Sequence, residues 1–172
     1  SKYRRENQCM ESERAKVDGA DYASLTRLST IDNSLSQEFI IQTPTLWSPD
    51  MPALYSAETR LYEGDQLKDL YTTPFGIRSI EIIPNKGFFL NGEKTVFKGV
   101  CNHHDLGPLG AAVNDAAIRR QIRILKDMGC NAIRTSHNMP APELVKACDE
   151  MGMMLMAESF DEWEQGEMRE RL

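Results

Sequence analysis

The chain of 172 residues is long enough for one medium domain or two small ones, and its 41% hydrophobic and 27% charged residues are typical of globular proteins and argue against disorder. The formal net charge of −6, with a pI near 5.1, provides no basic surface for nucleic acid. No apolar run approaches the roughly 18 residues that a membrane span needs, and the first residues lack a signal-peptide core. We therefore expect neither nucleic acid nor a membrane as a partner, and the sequence assigns no compartment.

Residues 1–83 contain the short alternating runs of β-strands, separated by turn signals. Prolines between positions 44 and 52 and the pair Gly64-Asp65 supply the turns. We interpret this half as a β-sandwich with half-buried strands. Residues 1–30 are dominated by charged and small polar side chains, and no strand is predicted there. The predicted strands are 37–41, 54–62, 67–71 and 77–83.

The hydrophobic pattern of residues 84–172 differs from that of the first half and predicts a second domain. Asn91-Gly92 predicts the turn of a β-hairpin. Asn114 or Asp115 caps a helix that runs to Met128, and a second helix begins near Pro142 and ends at Gly152. Apolar strands are predicted before, between and after these helices, at 96–101, 132–134 and 153–157.

The order strand, helix, strand, helix, strand predicts a parallel sheet with right-handed crossovers. Its strands are apolar throughout, as expected where helices cover the sheet. Periodicity does not distinguish an open sheet from a barrel. The predicted fold class is multidomain, with a β domain at 1–83 followed by an α/β domain at 84–172.

The four cysteines are widely spaced and form no Cys-x-x-Cys pair. Such spacing is not typical of structural disulfides or of a zinc site. We therefore expect small buried residues at these positions. The cysteines are Cys9, Cys101, Cys130 and Cys148.

Polar residues gather directly after each of the three predicted parallel strands. All three histidines of the chain, His103, His104 and His137, lie at these positions. In parallel α/β folds the functional groups collect at the C-terminal ends of the strands. The candidate binding residues are His103, Arg134, His137, Glu158 and Trp163.

Several chemistries could use such a cluster. A metal site could draw on His103, His104, Asp105, His137 and Glu158, but no His-x-x-x-His spacing supports it. A serine hydrolase would need a Gly-x-Ser-x-Gly turn, which the sequence lacks. A glycosidase needs two carboxylates together with polar groups that hold sugar hydroxyls, and Arg and His suit the second task.

Each candidate also has a purely structural interpretation. Arg134 could be the ion-pair partner of Glu158, and His137 could be a core histidine with its hydrogen bonds satisfied. Trp163 could stack on the apolar face of a sugar ring, but Trp163 and Trp47 could equally be packing residues. The sequence alone leaves these alternatives open.

Two segments of the second half resemble glycoside hydrolase family 2. Asn131–His137, followed by Asp149 and Gly152 and by an apolar strand that ends in Glu158, resembles the family signature. Residues 89–100 resemble the segment that leads into the family's first barrel strand. The motifs are long and appear in the family's order, which makes the resemblance specific.

The first half resembles the same family. Residues 46–55 are similar to part of its immunoglobulin-like sandwich, and residues 75–78 to the last strand of that sandwich. The resemblance extends over roughly residues 37–165. It implies the end of an immunoglobulin-like β-sandwich, followed by the first three βα units of a TIM (β/α)8 barrel.

The resemblance also implies an activity, which is retaining hydrolysis of terminal β-linked sugars, commonly galactosides, glucuronides or mannosides. We expect β-galactosides. Arg134 and His137 would line the sugar subsite, and His103 would help to hold the sugar near the transition state. Glu158 would be a carboxylate of the pocket wall and not the nucleophile.

The sequence also departs from the family pattern. Asn138-Met139 stands where Tyr-Pro is common, and His103-His104-Asp105 replaces the commoner His-Glu. Some members bind magnesium through a Glu and a His after the third strand, where this chain has Trp163 and Glu164. We therefore expect neither a metal nor a cofactor.

The family's catalytic pair does not match any residue of this sequence. Its acid/base Glu follows an Asn near the fourth barrel strand, and its nucleophile lies near the seventh; the chain has no Asn-Glu dipeptide. We expect a piece of a longer chain, truncated at both ends and inactive alone. Its partners would be the carbohydrate substrate and the remainder of the parent chain, with a homo-oligomer as a further option.

Two other functions compete with this hypothesis. A non-catalytic carbohydrate-binding β-sandwich module would present aromatic platforms in the first half and would not need His and Arg at the strand ends. A metal-dependent hydrolase or lyase on an open parallel sheet would retain zinc or magnesium through dialysis.

Overall fold

The computed structural model of the protein describes residues 13–17, 22–28, 35–63 and 65–160. Neither of the two α-helices in these ranges has the length and apolar character needed to cross a membrane. The helices are α1 (Asp115–Asp127) and α2 (Pro142–Met151). The strands are β1 (Glu13–Val17), β2 (Tyr22–Leu28), β3 (Leu35–Ile41), β4 (Tyr55–Glu63), β5 (Gln66–Phe75), β6 (Ile80–Ile83), β7 (Gly87–Leu90), β8 (Glu93–Lys94), β9 (Cys101–Asn102), β10 (Ala132–Thr135) and β11 (Met154–Met156).

The chain divides into two compact units that interleave along the sequence. Unit 1 comprises Ser1–Thr45 and Leu54–Ile77, and unit 2 comprises Leu46–Ala53 and Arg78–Leu172. The segment Leu46–Ala53, here called the strap, therefore belongs to unit 2 although it interrupts unit 1 in the sequence. A single boundary after residue 83 stays a prediction.

Unit 1 is built from antiparallel strands, as its alternating sequence predicts. β4 pairs with β1 on one side and with β5 on the other, while β2 and β3 form a separate two-stranded sheet. The rings of Tyr55 and Phe75, which are opposite each other in β4 and β5, stack with their centroids 5.7 Å apart. β4 is half-buried over most of its length, as expected for the strand predicted at 54–62.

β1 and β2 lie in the region where the sequence predicted no strand. Charged residues occupy much of β1, and the short alternation of polar and apolar residues over 14–17 is only a weak strand signal. Backbone pairing nevertheless places Glu13 opposite Leu61 and Val17 opposite Ala57 in β4. Strand formation here depends on the neighbouring strand and not on a local pattern, because β propensity is strongly set by context.

The strand predicted at 77–83 is shorter and begins at Ile80. The backbone of Ser79 pairs with Asn91 instead of continuing the strand: its N–H donates to Asn91 Oδ1 at 3.0 Å, and its carbonyl accepts from Asn91 N at 2.9 Å. The predicted hairpin turn is confirmed, since Asn91 has φ 53° and Gly92 has φ 82° between β7 and β8. Positive φ at both central residues is the geometry that Asn-Gly favours.

The predicted parallel sheet of unit 2 is confirmed. β10 lies in its centre and pairs in parallel with β9 and β11, so that Arg134 is opposite both Cys101 and Met156. α1 connects β9 to β10, and α2 connects β10 to β11. The helices pack on the sheet through one buried cluster, which consists of Ile118, Ile122, Leu125, Ile133, Ala147, Cys148 and Met153.

The first parallel strand, predicted at 96–101, is cut to Cys101–Asn102. The side chain of Asn131 makes hydrogen bonds to the backbone of residues 96–98, as a neighbouring strand would. Its Nδ2 donates to the carbonyl of Val96 at 2.9 Å, and its Oδ1 accepts from Lys98 N at 2.8 Å. The apolar run 96–101 therefore forms regular strand pairing with β10 only at its end.

Both helices begin and end as the sequence predicts. Asn114 is the N-cap of α1, and its Oδ1 accepts from Ala117 N at 2.9 Å. Pro142 occupies the first turn of α2, where no N–H is needed. Gly152 ends α2 in the left-handed conformation with φ 72°.

The strap is fastened to the end of α2. Trp47 is 2% exposed, and its Nε1 donates to the carbonyl of Asp149 at 2.8 Å. The guanidinium carbon of Arg78 lies 4.9 Å from the centroid of the Trp47 ring. Lys126 of α1 donates to the carbonyl of Pro49 at 2.7 Å. These contacts assign Trp47 to packing, one of the two interpretations left open by the sequence.

Candidate functional site

The carboxyl ends of β9, β10 and β11 bring four of the five predicted site residues to one edge of the sheet. His103 follows β9, Arg134 and His137 lie at the end of β10, and Glu158 lies two residues beyond β11. The parallel register places these strand ends side by side. The fifth predicted residue, Trp163, lies outside the described residues.

Arg134 and Glu158 form the ion pair that the structural interpretation predicted. Arg134 Nε donates to Glu158 Oε1 at 2.7 Å, and Arg134 Nη2 donates to the same oxygen. The side chain of Arg134 remains 37% exposed and that of Glu158 24% exposed. The pair is therefore partly accessible to solvent at the ends of the strands.

Cys101 is a third member of this contact, which sequence reasoning missed. Its thiol is exposed, and Arg134 Nη1 donates to its Sγ at 3.6 Å. The hydrogen bonds to Cys101 and to Glu158 raise the pKa of the Arg134 guanidinium. The expectation that the cysteines are buried is wrong for Cys101, the exposed first residue of β9, whereas Cys148 is buried.

Glu158 Oε2, the second oxygen of the carboxylate, faces His137. The distance to His137 Nδ1 is 3.3 Å, which is short enough for an ion pair when the imidazole is protonated. Its orientation does not complete a hydrogen bond, so Oε2 is buried without a hydrogen-bond partner among the described residues. The ring of His137 meets that of His103 edge to face, with centroids 5.6 Å apart.

The chain between Arg134 and His137 is buried and held by the neighbouring strands. Thr135 is 4% exposed and Ser136 2% exposed. Ser136 N donates to the carbonyl of Asn102 at 2.8 Å, and the Ser136–His137 peptide bond is cis. Thr135 Oγ1 accepts from Glu158 N at 2.9 Å. No sequence motif indicated this last contact, because its partners lie 23 residues apart.

His104 and Asp105 belong to the loop after β9 and not to the ion-pair cluster. His104 Nδ1 lies 3.4 Å from Asn138 Nδ2, and Asp105 Oδ1 accepts from Gly107 N at 2.6 Å. A cavity with mostly apolar walls lies beneath this loop, between the sheet and the two helices. Its lining includes Asn102, His104, Leu106, Val113, Ile118 and Leu144.

The metal hypothesis finds no support in the described residues. No group of three His, Cys, Asp or Glu side chains converges there in a way that could hold an ion. His103 and His137 contact each other through their rings. Trp163 and Glu164 lie outside the described ranges.

The cluster is suited to binding polar hydroxyl groups. Arg134 presents directed N–H donors, and the exposed imidazoles of His103 and His137 can donate or accept. Glu158 is poorly placed to act as a nucleophile, because Arg134 occupies its Oε1 and its Oε2 is buried. The geometry therefore supports recognition and not bond cleavage by these side chains.

Comparison with known proteins shows the family of the chain. The family model described as "Glycosyl hydrolases family 2" matches residues 5–78, and the model described as "Glycosyl hydrolases family 2, TIM barrel domain" matches residues 81–165. The chain is 52% identical over 128 residues to a β-galactosidase of Bacteroides ovatus and 44% identical over 128 residues to a putative β-glucuronidase of Formosa agariphila. Each alignment covers 74% of this chain but only 15% and 12%, respectively, of the relative.

Solved structures give the same result. The crystal structure of a β-glycosidase from Bacteroides vulgatus superposes with a TM-score of 0.72 at 34% identity, covering 91% of this chain and 24% of that one. A family 2 member from Bacteroides cellulosilyticus superposes with a TM-score of 0.69 at 34% identity, covering 90% of this chain and 23% of that one. The predicted fold class, the end of an immunoglobulin-like sandwich followed by the start of a TIM barrel, is confirmed. The chain belongs to glycoside hydrolase family 2.

Proposed function

We propose that this chain is part of a retaining exo-β-glycosidase of carbohydrate metabolism that hydrolyses terminal β-galactosides. The relatives and structural neighbours are β-galactosidases, β-glucuronidases and β-glycosidases. The chain spans less than a quarter of each of them, and the catalytic carboxylates would come from elsewhere in the parent polypeptide. Cleavage would follow a double displacement through a covalent glycosyl-enzyme intermediate.

The observation that carries this proposal is the cluster of Arg134, Glu158 and His137 at the C-terminal ends of the barrel strands. Active sites of TIM barrels lie at that end. In the proposed role, Arg134 and His137 donate to sugar hydroxyls, and Glu158 holds Arg134 in place. His103 supports the ring of His137 through its edge-to-face contact.

The charge of the cluster favours a neutral sugar over a uronic acid. A glucuronide carries a carboxylate, which is best recognised by an unpaired cation. Arg134 already donates to a carboxylate of the protein, and Glu158 Oε2 would repel a second negative charge. A galactoside presents only hydroxyl groups, which can bind beside the existing ion pair.

The same ion pair underlies the proposal that these 172 residues do not hydrolyse glycosides by themselves. A retaining mechanism needs two carboxylates about 5 Å apart, one of them acting as an acid. Oε1 of Glu158 accepts from Arg134, and His137 lies beside Oε2. These residues would form a wall of the sugar subsite, to which the remainder of the parent chain would bring the reacting pair.

The test is a substrate panel. The active β-glycosidase that carries this sequence is assayed with the p-nitrophenyl β-glycosides of galactose, glucuronic acid and mannose. We expect kcat/KM to be highest for the galactoside, by about tenfold or more over the glucuronide, which corresponds to about 1.4 kcal/mol. A preference for the glucuronide would overturn the substrate assignment, and hydrolysis of none of the three would overturn the proposed activity.

A further inference from the structure

Thr135 connects the two strands that carry the ion pair. It ends β10, and its Oγ1 accepts from the backbone N–H of Glu158 at 2.9 Å. The last backbone pair of β10 and β11 places Arg134 opposite Met156. The Thr135 hydroxyl thus continues the pairing of these strands by one side-chain bond, at the point where the regular ladder has ended.

This hydrogen bond holds the backbone of Glu158, whose carboxylate contacts the other residues of the site. Glu158 lies beyond β11, and the described contacts of its backbone N–H consist of this single bond. Its carboxylate receives Arg134 on one oxygen and faces His137 with the other. A shift of the Glu158 backbone would therefore move the acceptor of Arg134 and the neighbour of His137 together.

We propose that Thr135 is a positioning residue of the sugar site, which acts by holding Glu158 through its hydroxyl. The inference rests on the proposed function, since it assigns a role within that same site. Thr135 is 4% exposed, so it would not touch the sugar itself. It would set the distance from Glu158 to Arg134 and His137, and through them the geometry of the subsite.

The role requires the hydroxyl and not only the shape of the side chain. Valine is also β-branched, fits a strand and fills nearly the same space, but it offers no acceptor. Replacement by valine would leave the partly buried N–H of Glu158 without its partner, and such an N–H tends to move toward another acceptor. Serine retains the acceptor and loses only a methyl group.

The experiment compares Thr135→Val with Thr135→Ser in the active β-glycosidase, using Thr73→Val in β5 of unit 1 as the matched control. We expect Thr135→Val to lower kcat/KM for the aryl galactoside about tenfold, as for the loss of one hydrogen bond, and to raise KM. Thr135→Ser should stay within about twofold, because the hydrogen bond survives. Thr73, an exposed residue, should tolerate valine without any change in activity.

A crystal structure of the Thr135→Val variant provides a readout that does not depend on activity. Movement of the Glu158 carboxylate out of hydrogen-bond distance of Arg134 Nε would support the inference even if the wild type proved not to be a glycosidase. An unchanged ion pair, or wild-type kcat/KM in Thr135→Val, would overturn it. Equal impairment of Thr135→Ser would also overturn it, because the hydroxyl would then not be what matters.

Discussion

Two nitrogens of Arg134, Nε at 2.7 Å and Nη2, donate to the same oxygen of Glu158. The other oxygen is left to face His137, at 3.3 Å from its Nδ1. The pair thus neutralises a carboxylate just beyond the end of a barrel strand and leaves its second oxygen buried beside His137. This relationship links the fold to the proposed sugar subsite, because each partner is placed by a different strand of the sheet.

Replacement of Arg134 by lysine tests whether the forked geometry matters. Lysine keeps the positive charge but lacks the planar set of donors that binds Glu158 and Cys101 together. We expect kcat/KM for aryl galactosides to fall about ten- to hundredfold, as for the loss of one charge-assisted hydrogen bond. The measurement is steady-state kinetics, with thermal unfolding of the same preparation to show that the variant is folded.

A matched control for this variant lies on α1. Arg119 also donates to two acidic residues, to Asp115 at 2.8 Å and to Glu150 at 2.5 Å. It lies on α1 and not at the strand ends that carry the proposed sugar subsite, so Arg119→Lys should leave kcat/KM within about twofold of wild type. Equal losses in the two variants would mean that the effect of Arg134→Lys is a general one on folding.

Lys126 is expected to stabilise unit 2. Its ammonium donates to the carbonyls of Pro49 and Met151, both at 2.7 Å, and of Gly152 at 3.1 Å. Lys126→Met keeps the length of the side chain but leaves these carbonyls without their donor. We expect the free energy of unfolding, measured in urea, to fall by about 1–3 kcal/mol.

Lys146→Met provides the comparison for that result. Lys146 is an exposed lysine of α2 whose nearest carboxylate oxygen, on Glu150, is 3.9 Å away. Its replacement should change stability by less than about 0.5 kcal/mol. If Lys126→Met were as mild as Lys146→Met, the strap would not depend on the lysine.

Gly152 and Gly129 allow two reasons for requiring glycine to be tested separately, which are a positive φ and a lack of space for a Cβ atom. Both have positive φ, 72° and 87°, respectively. A Cβ at Gly152 would lie 2.3 Å from the carbonyl oxygen of Pro49, whereas a Cβ at Gly129 meets no atom within 4 Å. Gly129→Ala therefore probes backbone strain alone, and Gly152→Ala adds a clash with the strap.

We expect Gly129→Ala to lower the free energy of unfolding by about 1–2 kcal/mol. Gly152→Ala should lower it by at least about 1 kcal/mol more, because backbone must move to admit the methyl group. Urea titrations of the two variants measure the difference. Equal effects would show that the strap can move away from α2 without loss of stability.

The buried thiol of Cys148 predicts a dependence of stability on alkaline pH. Burial raises its pKa from the ordinary value of 9.0 to about 12. Between these values the unfolded chain releases the proton and the folded chain retains it. The stability contributed by the neutral thiol is therefore fully present below about pH 9 and is lost as the pH rises through the folded pKa.

Cys148→Ala removes this titration. We expect the free energy of unfolding to fall with pH above 9 less steeply in the variant than in wild type, by up to about 1.4 kcal/mol per pH unit. Ile122→Val, another buried change in the same cluster, should lower stability without altering the slope. Parallel slopes for wild type and Cys148→Ala between pH 9 and about 11 would contradict the expectation.

Local sequence patterns predicted the elements that are stabilised locally. The N-cap Asn114, the C-terminal glycine of α2 and the Asn-Gly hairpin depend on residues a few positions apart, and the structure has all three. The strand ends that carry Arg134 and Glu158 were also predicted, because their apolar runs are bounded by polar residues.

Features that depend on distant residues could not be predicted in this way. Asn131 donates a hydrogen bond to the backbone of Val96, 35 residues earlier in the chain, where the first parallel strand was predicted. Lys126 donates to the carbonyl of Pro49 in the strap, 77 residues earlier. The hydrogen bond from Glu158 to Thr135 joins two residues that are separated in the sequence by α2. Such contacts exist only once the chain has folded, since no periodicity or cap encodes them.

The most direct test of the central claim is the crystal structure, with bound galactose, of the protein that carries this sequence. We expect hydroxyl groups of the sugar within about 3.2 Å of the side chains of Arg134, His137 or Glu158. Galactose bound only on the β-sandwich of unit 1, for instance against the exposed ring of Tyr71, would contradict the claim. That result would identify the chain as a carbohydrate-binding module and would leave the strand-end cluster as a structural ion pair.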